Sequence, residues 1–180
     1  MSVSKVRTNK PMLILLYGFP GAGKTHFASN LTQSLDCAHV HSDRIRNELF
    51  EEPRFDEQEE GIINHLMEYM AEEFLNAGIS VIYDTTMSRK SDRHAMRELA
   101  RKKHVKTLLV WFQVDPDTAY ARLRSRDRRK TDDKFAVEYS ESDFRRYASR
   151  MQHPEPTEDY VVVSGKHTFP SQKTAVFKKF

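Results

Sequence analysis

The sequence has only one cysteine and no long hydrophobic run, and each of these absences excludes a class of protein. Cys37 cannot form a disulfide within the chain, which excludes a disulfide-stabilised fold and favours a reducing compartment. The apolar runs are far shorter than the roughly 20 residues of a membrane-spanning helix, and residues 1–10 are too polar for a signal segment. We therefore expect a cytoplasmic protein that does not bind membranes.

An excess of one charge sign is also missing. The 180 residues carry a formal net charge of +3, so a basic field over the whole molecule cannot argue for a nucleic-acid partner. Spacings typical of zinc sites are absent, and so are the N-K-x-D and D-x-x-G sequences of guanine-specific GTPases. The length favours one domain over residues 1–180, with a flexible start at 1–11, and is short for an AAA+ motor with its own small domain.

The six glycines are few, yet three of them fall within residues 18–25, which read GFPGAGKT. This segment matches the phosphate-binding P-loop, G-x-x-x-x-G-K-[ST], at every required position, so its backbone N–H groups can surround nucleotide phosphates. Lys24 is then expected to reach the β- and γ-phosphates, and the Thr25 hydroxyl to bind Mg²⁺. The residues predicted to contact the nucleotide are Gly18, Phe19, Pro20, Gly21, Ala22, Gly23, Lys24, Thr25 and His26.

A P-loop needs a strand before it and a helix after it, and the sequence provides both. Residues 12–17 are an unbroken apolar run of strand length, and apolar residues at helical spacing follow Thr25. The alternative, a glycine-rich turn that binds nothing, requires neither element. Further strands are predicted at 38–41, 79–84, 106–114 and 160–164.

Helical patterns separate the predicted strands. The predicted helices span 60–76, 89–103, 116–129, a segment that begins with a capping box at Ser140, and 170–180. This alternation predicts an α/β protein with a three-layer α/β/α fold, in which helices cover both faces of a parallel sheet. The polar segment at about 130–140 lies between two predicted helices and is expected to form a mobile lid.

Two acidic residues lie at the ends of predicted strands, at the edge where open α/β sheets bind their ligands. Asp43 comes shortly after the second strand and is the candidate base for a proton from an acceptor hydroxyl, and Arg46 on the same helical face could orient that acceptor. Asp84 ends the third strand and could bind Mg²⁺ directly or through water. The alternatives are a helix N-cap for Asp43 and a strand-end turn for Asp84.

Residues 122–130 carry six basic side chains among nine. Such a run is usually a solvated helix face or a nucleic-acid patch. Beside a lid, however, an arginine could stabilise the charge of a phosphoryl group during transfer. Arg126 is the favoured candidate for this catalytic role, with Arg122 one turn before it on the same predicted helical face.

His39 and His41 alternate along a predicted strand, so their side chains share a face, as those of a metal-binding pair would. No third ligand is evident from the sequence, and packing at the crevice is the preferred interpretation. The predicted metal ligands are therefore Thr25 and Asp84 only.

Together, four segments resemble the small P-loop kinases of the adenylate-kinase-like group: GFPGAGKT at 18–25, SDRIRNELF at 42–50, VIYDTT at 81–86 and RLRSR at 122–126. The most similar branch contains zeta toxins, chloramphenicol phosphotransferase and the kinase domain of phage polynucleotide kinase. This resemblance implies ATP and Mg²⁺ as cofactors and a five-stranded sheet in the order 2-3-1-4-5. It also implies that Asp43 and Arg46 act as base and acceptor clamp, that Asp84 belongs to the active site, and that Gly165 lies near the adenine.

The leading hypothesis is a kinase that transfers the γ-phosphate of ATP to a hydroxyl group. The acceptor could be a small molecule or the 5′-hydroxyl end of RNA or DNA, although residues 43–78 offer no evident aromatic platform for stacking bases. The alternatives are a non-catalytic ATP-binding switch and an ATPase whose acceptor is water. Asp43 and Arg46 weigh against both, because neither alternative needs an acceptor pair. The sequence gives no indication of a protein partner.

Overall fold

The computed structural model describes residues 5–127, 129, 134–135 and 137–179. Within these residues the chain alternates between five strands and seven helices. The strands are β1 (Met12–Tyr17), β2 (Cys37–His41), β3 (Ser80–Asp84), β4 (Lys106–Gln113) and β5 (Tyr160–Ser164). The helices are α1 (Lys24–Leu31), α2 (Ser42–Leu49), α3 (Glu57–Asn76), α4 (Lys90–Lys102), α5 (Pro116–Arg124), α6 (Glu141–Ser149) and α7 (Phe169–Phe177).

The five strands form one parallel sheet in the order β2-β3-β1-β4-β5. Strand β1 lies in the middle and pairs with β3 on one side and β4 on the other. The P-loop therefore leaves the centre of the carboxyl edge of the sheet, where the ends of the neighbouring strands surround it. The observed order confirms the predicted fold class and strand order.

Helices cover both faces of the sheet and bury an apolar cluster on each. Leu13 and Leu15 of β1 face the cluster that includes side chains of α3 and α4, whereas Ile14 and Leu16 face the cluster of α1 and α7. Because both faces of β1 are covered, all six of its residues are buried. This explains why its sequence is an unbroken apolar run instead of an alternating one.

Helix α5 ends at Arg124, whereas the sequence pattern predicts a helix to residue 129. After Leu123 the chain offers only polar and charged residues as far as position 130, so no apolar face holds a further turn on the core. Arg126 therefore follows the helix and does not share a helical face with Arg122. Helix α3, in contrast, begins three residues before its predicted start, because the Asp56 side chain caps it by accepting a hydrogen bond from Glu59 N at 2.8 Å.

Two predicted segments lie partly outside the described residues. Of the lid expected at about 130–140, only 134–135 and 137–140 are described, and they form neither helix nor strand. Where a flexible start is expected, Val6 forms backbone hydrogen bonds of 2.8 and 2.9 Å with Ser34 and Asp36. Among the described residues, no helix combines the length and the apolar composition that crossing a membrane requires.

Candidate active site

The P-loop turns sharply between β1 and α1, and two of its glycines allow this for different reasons. Gly21 and Gly23 have φ angles of 85° and 97°, a left-handed conformation that side chains disfavour. A Cβ on Gly21 would lie 2.2 Å from the carbonyl oxygen of Ala119, so this glycine is required by the close packing of α5. A Cβ on Gly23 would meet no atom within 4 Å, so the space beside this glycine is open to a ligand.

Lys24 begins α1 and is 8% exposed. Its Nζ donates hydrogen bonds to the carbonyl oxygens of Gly18 and Phe19, at 2.9 and 3.1 Å. Burial lowers the pKa of the Lys24 ammonium to about 8, although the nearby Asp84 and Asp43 carboxylates act in the opposite direction. A desolvated ammonium group next to an open, glycine-lined turn is well placed to bind an anion such as a phosphate.

A cavity of about 330 Å³ opens over the P-loop. Its walls come from the loop and the first turn of α1, from the ends of β2 and β3, and from the end of α5 with the residues after it. The predicted site residues that line this P-loop cavity are Pro20, Gly21, Gly23, Lys24, Thr25, His26, Asp43, Asp84, Arg122 and Arg126. The predicted site residues outside its wall are Gly18, Phe19, Ala22, Arg46 and Gly165.

Asp84 is the most deeply buried acid of the P-loop cavity, at 2% exposure. Its Oδ2 accepts a hydrogen bond from His39 Nε2 at 2.8 Å and lies 3.9 Å from His41 Nε2. Burial alone would raise the pKa of Asp84, but the His39 hydrogen bond and the charges of His41 and Lys24 lower it below its usual value. Asp84 is therefore an ionised carboxylate in the same cavity as Thr25, as a magnesium ligand must be.

Asp43 lies in the first turn of α2, and its side chain faces the same cavity. Its Oδ2 is 4.0 Å from His41 Nε2. The N-cap of α2 is His41, so the alternative that Asp43 serves as the N-cap does not hold. Burial raises the pKa of Asp43, while the neighbouring His41 opposes the change. A raised pKa improves a carboxylate as a proton acceptor near neutral pH.

Arg46 lies one turn after Asp43, but its guanidinium group belongs to a buried ion pair. It donates to the carboxylates of Glu59 and Glu60 of α3, and the ring of Phe55 lies 4.8 Å from its guanidinium carbon. The side chain is 5% exposed and does not reach the P-loop cavity. In this structure acids 13 and 14 positions further along the chain hold the charge of Arg46, and its role as an acceptor clamp stays a prediction.

Helix α5 and the loop after β5 meet at one side of the P-loop. Arg122 Nη1 donates a hydrogen bond to the carbonyl oxygen of Gly165 at 2.8 Å, and a Cβ on Gly165 would lie 2.8 Å from the carbonyl oxygen of Ala22. The loop expected near the adenine thus abuts the phosphate-binding turn. Arg126 lines the cavity beyond the end of α5, and its charge acts on Lys24. Both arginines face one space, although they do not share a helical face.

A larger cavity, of about 680 Å³, begins at Gly18 and Phe19. It is lined in part by Trp111 and His153, whose rings stack with their centroids 5.5 Å apart. It shares no lining residue with the P-loop cavity and contains none of the catalytic residues predicted from the sequence. The side chains that bear chemistry therefore mark the smaller cavity as the candidate active site.

Comparison with known proteins gives one family and a set of similar folds. The family described as AAA domain matches residues 13–154 of the chain. The matched range includes the P-loop, Asp43, Asp84 and the end of α5. No curated protein matches the chain in sequence.

Three solved structures cover almost the whole chain. A candidate kinase of Chloroflexus aurantiacus is 17% identical with a TM-score of 0.76, covering 96% of this chain and 100% of that one. The APS kinase of Mycobacterium tuberculosis, solved with AMPPNP and APS, is 14% identical with a TM-score of 0.67, covering 94% and 96%. Kti12 of Chaetomium thermophilum, solved with ADP-AlF3, is 14% identical with a TM-score of 0.69, covering 93% and 96%. At these identities the likeness establishes a common fold.

Proposed function

The chain belongs to the AAA domain family, and from this membership and the geometry of the P-loop cavity we propose that it transfers the γ-phosphoryl group of ATP to a hydroxyl group. The observation that carries the proposal is a convergence of charges: Lys24, Asp43, Asp84 and Arg126 line one cavity. Phosphoryl transfer needs cations to neutralise the phosphates, acids to hold magnesium, and often a carboxylate to accept a proton. The kinases among the structures of the same fold support this proposal.

Each residue takes the role that its position supports. The backbone N–H groups of residues 18–25, the open space at Gly23 and the Lys24 ammonium would hold the ATP phosphates. Thr25 and Asp84 would hold Mg²⁺, which when bound neutralises charge on the β- and γ-phosphates.

The transfer step uses Asp43 and Arg126. The acceptor oxygen forms a bond to the γ-phosphorus, the bond from that phosphorus to the ADP oxygen breaks, and Asp43 accepts the proton of the hydroxyl group. Arg126 stabilises the negative charge of the group in transfer, and Arg122 stays with the loop at Gly165. A raised pKa at Asp43 agrees with this role as base.

The ion pair of Arg46 bears on the identity of the acceptor. Glu59 and Glu60 neutralise its guanidinium group, so its charge is not available to a phosphate of a nucleic acid. We therefore favour a small uncharged alcohol over the 5′-hydroxyl end of RNA or DNA. The SDRIRNELF segment supports placing the chain in the branch of zeta toxins and chloramphenicol phosphotransferase.

A second candidate function is ATP hydrolysis, or nucleotide binding without turnover. The same ion pair favours it, because the acceptor pair of Asp43 and Arg46 is not assembled in this structure. A hydrolase would release phosphate steadily without any acceptor. A switch would bind ATP tightly without turnover and would bind its partner in one nucleotide state only.

The test is phosphate transfer from γ-labelled ATP with magnesium, using a deproteinised small-metabolite extract beside 5′-hydroxyl RNA and DNA oligonucleotides. We expect label on a metabolite, transfer lost in Lys24→Ala, and transfer lost with ATP binding retained in Asp43→Asn. The matched control is Asp92→Asn, which removes an exposed acid from the first turn of α4 and should leave transfer intact.

The other outcomes identify the alternatives. Label on an oligonucleotide, with binding that weakens steeply as salt is added, makes the protein a polynucleotide kinase. Phosphate release without labelled acceptor makes it a hydrolase, and intact ATP binding without turnover makes it a switch. Full transfer by Asp43→Asn would exclude Asp43 as the base.

A further inference from the structure

Two histidines of β2 and the last residue of β3 form a cluster at the carboxyl edge of the sheet. Strands β2 and β3 are paired so that His41 stands opposite Asp84, and His39 stands opposite Ile82. Because side chains alternate between the two faces along a strand, these residues share one face. The register thus supplies the third group that the sequence of β2 alone does not reveal.

The three candidate ligand atoms are close enough to bind one ion. Nε2 of His39 and Nε2 of His41 lie 2.8 and 3.9 Å from the same atom, Asp84 Oδ2. All three atoms are within 4.8 Å of one another. A tetrahedral ion with bonds of about 2.0–2.1 Å holds its ligand atoms about 3.4 Å apart. The two separations lie on either side of that value, and because the two imidazole planes are only 11° apart, one ring has to rotate so that both Nε2 lone pairs point to one ion.

The surroundings suit an ion with one open coordination position. The side chains of His39, His41 and Asp84 are only 20%, 10% and 2% exposed, and the two imidazole rings stack 5.4 Å apart. His41 and Asp84 also line the P-loop cavity, so the open side of the cluster faces a space that a water molecule or phosphate can enter. Of the charged groups nearby, Asp43 favours a cation and Lys24 opposes it.

We propose that His39, His41 and Asp84 bind one divalent transition-metal ion, and that Zn²⁺ fits the donor set best. Two imidazoles and one carboxylate with an open fourth position form the arrangement of catalytic zinc sites, and imidazole nitrogen suits transition metals. The site shares Asp84 with the magnesium site proposed at Thr25 and Asp84, and its two imidazole ligands distinguish it, because Mg²⁺ prefers oxygen ligands in octahedral geometry. The proposal rests on this cluster and does not depend on the kinase activity.

The test uses the full chain, with Co²⁺ as a spectroscopic substitute for Zn²⁺ and without nucleotide. We expect one Co²⁺ per chain, visible absorption bands of low-coordinate Co²⁺, and loss of these bands when Zn²⁺ is added. Of the eight histidines, only His39 and His41 should shift their Nε2 signals in nitrogen NMR spectra on addition of Zn²⁺.

Glutamine variants test the assignment. His39→Gln and His41→Gln should each weaken Zn²⁺ binding at least about tenfold, since a loss of that size follows even the removal of outer partners of a metal site. His94→Gln, on the exposed face of α4, is the matched control and should bind as the wild type does. Circular dichroism checks that each variant is folded, and the NMR measurement on the wild type decides the matter if a variant is not.

Three results would overturn the proposal. They are an affinity unchanged in both glutamine variants, histidine Nε2 signals that do not shift when Zn²⁺ is added, and absorption bands of octahedral Co²⁺, which would show that oxygen ligands alone hold the ion. None of these measurements involves turnover. If the protein binds Zn²⁺ here but transfers no phosphate, only the kinase proposal is refuted. If it is an active kinase that does not bind Zn²⁺, only the zinc proposal is refuted.

Discussion

Replacing Glu158 with glutamine should destabilise the fold strongly, because this carboxylate neutralises Arg93, the largest of the fully buried side chains described. Nε and Nη2 of Arg93 donate to the two oxygens of Glu158 at 2.9 and 2.8 Å, and Arg97 adds a further donor. Nη1 of Arg93 also donates to the carbonyl oxygens of Met87 and Gln152, at 3.0 Å each. Glutamine is nearly the same size as glutamate, so the substitution leaves this guanidinium group in place without its counter-ion.

The expected magnitude follows from the pKa of Glu158 and from the burial of the pair. Burial alone would raise the pKa of Glu158, but hydrogen bonds from Arg93, from the Glu155 N–H and from Arg97 lower it from 4.5 to about 2. A shift of this size corresponds to about 3 kcal/mol, at roughly 1.4 kcal/mol per unit. Removing one member of a buried ion pair costs about 3–5 kcal/mol in general. We therefore expect the free energy of unfolding to fall by about 3–5 kcal/mol at neutral pH.

Urea denaturation followed by circular dichroism measures this loss. The matched control is Glu98→Gln, which removes the same charge from an exposed pair with Arg101 and should change the free energy of unfolding very little. The pH dependence gives a second measure. Since the pKa of Glu158 is lower in the folded state, its contribution is complete above about pH 4.5 and is lost as the pH falls toward 2.

The stability curves of wild type and Glu158→Gln should therefore converge as the pH falls below about 4.5. A loss below about 1 kcal/mol at neutral pH, the size of an average substitution, would refute the reasoning. A difference in the free energy of unfolding that stays constant across that pH range would also refute it, because the charge of Glu158 would then not be what stabilises the fold.

Two further substitutions separate roles within the site. Gly21→Ala should lower the melting temperature more than Gly23→Ala does, because the Cβ at position 21 meets the backbone of Ala119. Gly23→Ala should fold and fail to bind ATP. Calorimetry measures the melting temperatures and nucleotide titration measures ATP binding; the same melting temperature and the same ATP affinity in both variants would contradict these roles. Glu59→Gln combined with Glu60→Gln should leave Arg46 without a counter-ion and give salt-dependent binding of a 5′-phosphorylated oligonucleotide, measured by fluorescence anisotropy. Binding no tighter than that of the wild type would show that the ion pair does not control the acceptor site.

Local pattern was enough to predict the elements that position the site. The apolar run at 12–17 is β1 within its predicted bounds, and the glycine-rich segment after it forms the expected turn into α1. Asp43 comes shortly after β2 and Asp84 is the last residue of β3, and both line the P-loop cavity. These features depend on a few neighbouring residues and on the rule that parallel strands present their carboxyl ends at one edge.

Contacts between distant segments could not be predicted in the same way. Arg46 has the expected spacing from Asp43, but its direction is decided by the docking of α3, which brings Glu59 beside it. Arg93 and Glu158 are 65 positions apart, and no periodicity relates them. Likewise, the alternation of His39 and His41 is visible in the sequence, while their approach to Asp84 depends on the register of two strands.

The contacts of α5 decide how the two arginines of the P-loop cavity are positioned. Ala119 packs against Gly21 closely enough to exclude a Cβ, and Arg122 is bonded to the carbonyl oxygen of Gly165. The helix therefore contacts both the phosphate-binding turn and the loop after β5, and it cannot move relative to them without breaking these contacts. The helix itself ends at Arg124. Arg122 and Arg126, only four positions apart, are therefore positioned by different means: Arg122 by its hydrogen bond to the carbonyl oxygen of Gly165, and Arg126 by the chain that continues beyond the helix.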